Sequence, residues 1–82
     1  MIFYVYLIRS IPFPNQHYVG FSTDHEDRLK DHNAGKSIHT NKFKPWELIC
    51  YFAFKGEGTA KQLESYLKSG SGRAFLKKHF LK

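Results

Sequence analysis

"IFYVYLI", residues 2–8, is β-branched or aromatic at all but one position, the composition of a β-strand. Alternation sets Phe3, Val5 and Leu7 on one face and Tyr4, Tyr6 and Ile8 on the other. Neither face is polar. A strand of this kind is expected to be covered on both sides, as the centre of a sheet is.

The elements around it follow from local signals. "RSIPFPNQ" (9–16) has two prolines among polar residues and reads as a loop. "HYVGF" (17–21) reads as a second strand, joined to the first as a hairpin. "STDHEDRLKDHNAG" (22–35) reads as a helix. Ser22, Thr23 or Asp24 can cap it, Glu26 and Asp27 suit the positive end of its dipole, and Gly35 supplies the stop. "KSIHTNKFKP" (36–45) is a polar, basic connector, and "WELICYFAF" (46–54) is a third strand. "KGEG" turns the chain into a helix over 59–68 with the stripe Ala60, Leu63, Leu67. "SGSG" breaks that helix, and a last one covers 73–81, with Phe75, Leu76, His79 and Phe80 inward. The order β-β-α-β-α-α predicts a small α/β sandwich whose central three-stranded sheet is mostly antiparallel and flanked by helices.

At 82 residues the chain is read as one domain, 1–82, near the lower limit for a core without staples. Cys50 is the only cysteine, so neither an internal disulfide nor a paired-cysteine zinc site exists. Within "LICYFAF" it reads as core, and a reducing cytoplasmic setting is expected. Thirteen Lys and Arg against seven Asp and Glu give a net charge of +6, which favours an anionic partner, nucleic acid first. The first apolar run stops at Arg9, too short for a membrane span, so no membrane role is expected. The five histidines (17, 25, 32, 39 and 79) show no metal-ligand spacing.

The ordered set of Tyr4-Val5-Tyr6, Tyr18-Val19-Gly20, a helix with Arg28 and His32, and a later helix with Glu64 resembles the GIY-YIG nuclease superfamily. Eleven residues separate Tyr6 from Tyr18, a separation typical of that family, and the resemblance covers essentially the whole chain. It is closest to small stand-alone bacterial members, which are similar to the N-terminal catalytic domain of the excinuclease C subunit. Tyr4 stands where the first glycine of the name-giving motif falls, and His39-Thr40 where a Tyr-Thr pair is common. The resemblance implies a metal-dependent endonuclease acting on nucleic acid, with DNA expected. It also implies that Tyr6 takes a proton from the attacking water and that Glu64 binds the metal.

Phosphodiester hydrolysis needs a base for water, a cation against developing charge, an acid or metal for the leaving oxygen, and positioning. A free tyrosine, with a pKa of about 10, is a poor base near neutrality, so a Tyr6 base needs positive charge beside it, from Arg28 or a bound cation. Arg28 suits phosphate oxygens, although it could equally pair with Asp24 or Asp31 on its own surface. Tyr18 reads as a hydrogen-bonding partner of water or phosphate, or as a cross-strand aromatic partner of the first strand. His32 reads as a proton shuttle or phosphate contact, or as a histidine favoured at a helix C-terminus. Glu64 would be the single carboxylate for one magnesium (or manganese) ion, or a surface partner of Lys61 or Lys68. Gly20 leaves room for substrate to approach. Lys36, Thr40 and Lys42 in the connector, with Arg73 and Lys77 near the last helix, read as a phosphate grip without base readout. A binding module that grips nucleic acid without cutting it is the competing function. Targeting is expected to come from an attached domain, a larger repair partner or a homodimer.

Overall fold

A computed structural model describes residues 1–81 of the chain. Strand β1 (Phe3–Ser10) lies between β2 (His17–Ser22) and β3 (Trp46–Phe54), and both pairings are antiparallel. Helix α1 (His25–Asn33) follows β2, a 3-10 turn (Asn41–Phe43) precedes β3, and α2 (Glu57–Lys68) and α3 (Gly70–His79) close the chain. The expected order is present, and the sheet is antiparallel throughout.

The alternation in β1 builds two cores. Val5 and Leu7 pack with Val19, Ala60, Leu67 and Leu76 under α2 and α3. Tyr6 and Ile8 pack with Trp46, and with Leu29 of α1, on the opposite face. Strand β3 serves both cores through a bulge. Trp46, Leu48, Cys50, Phe52 and Phe54 all occupy even positions, so an unbroken strand would aim all five at one side. Between Leu7 and Ile8 of β1 the register slips: Leu7 pairs with Cys50 and Ile8 with Leu48, leaving Ile49 as the extra residue. Trp46 and Leu48 therefore join the Tyr6 core, while Cys50, Phe52 and Phe54 join the other.

The helix ends depart from the sequence expectation in instructive ways. Helix α1 starts at His25, three residues late, because Asp24 is the cap: its carboxylate accepts from the Asp27 N–H at 3.1 Å. Gly35, at φ +77°, ends the segment as expected. Helix α2 begins at Glu57, so the second half of "KGEG" is helical. "SGSG" is not a four-residue break. Ser69 alone is non-helical, and its hydroxyl accepts from the Gly72 N–H at 3.2 Å to cap α3. Gly72 is there for space: a Cβ would sit 1.9 Å from the Tyr66 carbonyl oxygen, so only glycine lets α3 fold back tightly on α2. The outward face of α3 is also a correction. Leu76 alone of its four expected core residues is buried; Phe75 and Phe80 are 37% and 36% exposed, and they cluster with His79 on the surface. Cys50 is half-buried, and burial raises its thiol pKa above the ordinary value.

Candidate active site

The Tyr6 face of the sheet is where polar groups go inside. Tyr6 is 1% exposed, and its phenol lies 3.0 Å from His32 Nε2. His32 is fully buried, and its Nδ1 lies 2.6 Å from Thr40 Oγ1. The α1 turn carrying His32 also carries Arg28, whose guanidinium charge acts on the Tyr6 phenol and which ion-pairs with Asp31 at 3.7 Å. Tyr6 pairs across the sheet with Gly20, and a Cβ there would lie 2.2 Å from the phenol oxygen. Gly20 is thus the notch into which the Tyr6 side chain leans. Tyr18 flanks the same notch, its ring 5.2 Å from that of His32.

These contacts fix the protons. Burial raises the Tyr6 pKa, and the nearby Arg28 offsets this only in part. The expected lowering by Arg28 is real in sign, but desolvation outweighs it, so the resting phenol is protonated. A buried phenol must donate, and His32 Nε2 is its acceptor. The imidazole is itself held neutral, its pKa lowered by burial and by Arg28. Its proton is thereby assigned to Nδ1, donating to Thr40.

The loop after α1 is clamped to make this possible. Asn33 accepts from the Trp46 N–H at 2.5 Å and donates to the Trp46 carbonyl at 3.1 Å, and the Trp46 indole N–H donates to the Thr40 carbonyl at 2.9 Å. Thr40 was expected at the surface as part of a phosphate grip. It is instead 1% exposed, its hydroxyl committed to His32, because the connector folds under Trp46 rather than over it.

Glu64 reaches this site from α2. Its charge acts on the Tyr6 phenol, and its carboxylate, 23% exposed, pairs with Lys68 at 3.1 Å. Lys68 also lies over the Tyr18 ring, 5.4 Å from its centre. The Tyr6 phenol thus feels the charges of both the Arg28 guanidinium and the Glu64 carboxylate.

A family model described as the GIY-YIG catalytic domain matches residues 2–78. The chain belongs to the GIY-YIG family. It is 39% identical over 71 residues to the structure-specific endonuclease subunit SLX1 of Debaryomyces hansenii, covering 78% of this chain and 20% of that protein. The SLX1 subunit of Kluyveromyces lactis is 39% identical over 66 residues, covering 72% of this chain and 23% of that protein. The chain thus spans about a fifth of the length of these relatives. A solution structure of a UPF0213 protein from Bacillus halodurans superposes with a TM-score of 0.57 at 28% identity, over 95% of this chain and 84% of that one.

The GIY-YIG residues offer a metal a sparse donor set. Among the described residues no three His, Cys, Asp or Glu side chains cluster as a ready cage. Glu64 fits a hydrated ion held by one carboxylate, the manner in which magnesium keeps most of its waters. Lys68 would have to give way, and its flexible stem allows that. Lys36 pairs with Asp31 at 3.5 Å, and Lys42 is exposed on the 3-10 turn. Arg73 and Lys77 lie on α3 beside His17. Sequence reasoning missed the placement of Lys68 over Tyr18, although its position four residues after Glu64 was a signal.

Proposed function

We propose that this GIY-YIG domain is a metal-dependent endonuclease that hydrolyses phosphodiesters in DNA, with one divalent ion. The observation that carries the proposal is the convergence on the Tyr6 phenol of His32, Arg28 and the Glu64 charge. Tyr6 accepts the proton of the attacking water at Oη as its own proton passes to His32 Nε2. This relay avoids a free phenolate, which burial disfavours. Thr40 keeps the imidazole in the tautomer that can receive that proton. Arg28 turns its remaining donors towards the phosphoryl oxygens, where charge grows in the transition state. Tyr18 positions water or phosphate beside the Gly20 notch. Glu64 would hold magnesium or manganese, which would supply Lewis-acid stabilisation of the phosphoryl and leaving oxygens.

The relatives named as structure-specific endonuclease subunits support a branched or flapped DNA substrate and a partner that delivers it. The test is cleavage of supercoiled plasmid and of a flapped oligonucleotide in magnesium and in chelator. The wild type should cut in magnesium only. Tyr6→Phe, Arg28→Ala and Glu64→Gln should each cut at least about 100-fold more slowly. Tight binding by the wild type with no metal-dependent cutting would make the domain a gripping module instead.

A further inference from the structure

Three hollows run together along the outer edge of β2. The first, about 420 Å3, is bordered by Tyr18, Lys68, His17 and Arg73; the second, about 190 Å3, by His17, Arg73 and Lys77; the third, about 300 Å3, by His17 and Lys77. His17 borders all three, Arg73 the first two and Lys77 the last two, so the hollows adjoin in one grooved edge. Its course follows from strand alternation. Tyr18 and Gly20 face Tyr6, whereas His17 and Val19 face α2 and α3. The groove therefore starts at the candidate active site and turns round the edge of the sheet to the opposite face. No acidic side chain borders it, and neither Arg73 nor Lys77 has an acidic ion-pair partner among the described residues. Burial first, and then these two cations, push the His17 imidazole below its ordinary pKa.

An uncompensated basic groove calls for a polyanion, and its shape selects which one. Duplex DNA, stiff over a persistence length of about 50 nm, does not bend round a strand edge, whereas a single strand does. We propose that this groove is a backbone track for single-stranded DNA, in which Arg73 and Lys77 hold the phosphates neighbouring the scissile one. The assignment rests on the reading of the Tyr6 pocket as the cutting site, and it adds a substrate requirement: an unpaired strand on the β2 side of the cut.

The test uses fluorescence anisotropy with a labelled short dT oligonucleotide and a labelled blunt duplex, without metal, on wild type, Arg73→Ala/Lys77→Ala and Tyr6→Phe. Both groove cations are exposed, so matching melting curves are expected for the double variant. The double variant should lose at least tenfold affinity for the dT strand and change little towards the duplex. Its slope of log K against log salt should shrink by about 1.4, at about 0.7 for each lost phosphate contact. On a flapped substrate it should raise KM and leave kcat unchanged. Unchanged dT affinity and salt slope would overturn the track, as would an equal loss for the duplex. Tyr6→Phe should bind the dT strand as the wild type does. If Tyr6→Phe also cuts like the wild type, the cutting-site reading fails, and that result is separate from the binding result.

Discussion

Strand β1 presents a hydrocarbon face and a wired one. Below it, Val5 and Leu7 pack among apolar side chains from β2, β3, α2 and α3. Above it, Tyr6 and Ile8 share their core with a chain of hydrogen bonds from the phenol through His32 to Thr40, and on to Trp46 and Asn33. Both faces are equally well buried at the strand. Burial alone therefore does not mark the chemistry; a buried polar network that needs every partner in place does. The lower face is expected to set stability, and the upper face to set turnover.

The sharpest break of this division is Tyr6→Phe, which keeps the ring and removes the hydroxyl. Cleavage by the folded protein should fall by about 10² to 10⁴, while stability should fall by only about 1–3 kcal/mol as the buried His32 Nε2 loses its donor, as single-turnover rates and urea unfolding would show. Leu67→Ala should do the reverse. It opens a cavity in the lower core and should cost about 2–5 kcal/mol in urea unfolding, yet leave kcat unchanged well below the melting temperature. A large fall in kcat of the folded Leu67→Ala protein would dissolve the contrast between the faces. Thr40→Val tests the wiring at one remove. It is isosteric but cannot pair with Nδ1, so about tenfold slower cleavage is expected, with the pH–rate profile displaced while KM holds. A merely structural Thr40 would leave that profile in place.

The smallest effect is on pH. The folded state depresses the His32 pKa below the ordinary 6.5, so the unfolded chain binds the proton more readily. The stability that follows is complete above about pH 6.5 and declines as pH falls from there through the folded value. His17 acts in the same direction. Urea midpoints at neutral and mildly acidic pH should therefore converge in a His32→Gln, His17→Gln variant and differ in the wild type.

How much of this was legible beforehand divides along physical lines. The central position of β1 was readable because a two-sided apolar strand has few places to go. The cap and stop of α1 were readable because Asp24 and Gly35 act within one turn of chain. Arg28, His32 and Glu64 were readable as candidates by type and spacing, and the structure shows that Arg28 and Glu64 also realise their surface pairings, with Asp31 and Lys68. The unreadable features are long-range. Gly72 looked like a helix breaker, and its role depends on the Tyr66 carbonyl meeting it in space. Thr40 looked like solvent-facing loop, and its burial depends on Trp46 folding over the connector. Phe75 and Phe80 looked like core, but both lie at the surface of α3 beside His79.

The slip at Ile49 has a consequence for how the gene encoding this sheet can change length. Because Ile49 is the one surplus residue in β3, its deletion should leave Trp46 and Leu48 still directed at α1 and Cys50 and Phe52 still directed at α2. Losing Tyr51 instead would invert the remainder of the strand. An indel scan across β3 would thus find a single forgiving window, centred on a residue whose side chain is more replaceable than the phase it absorbs.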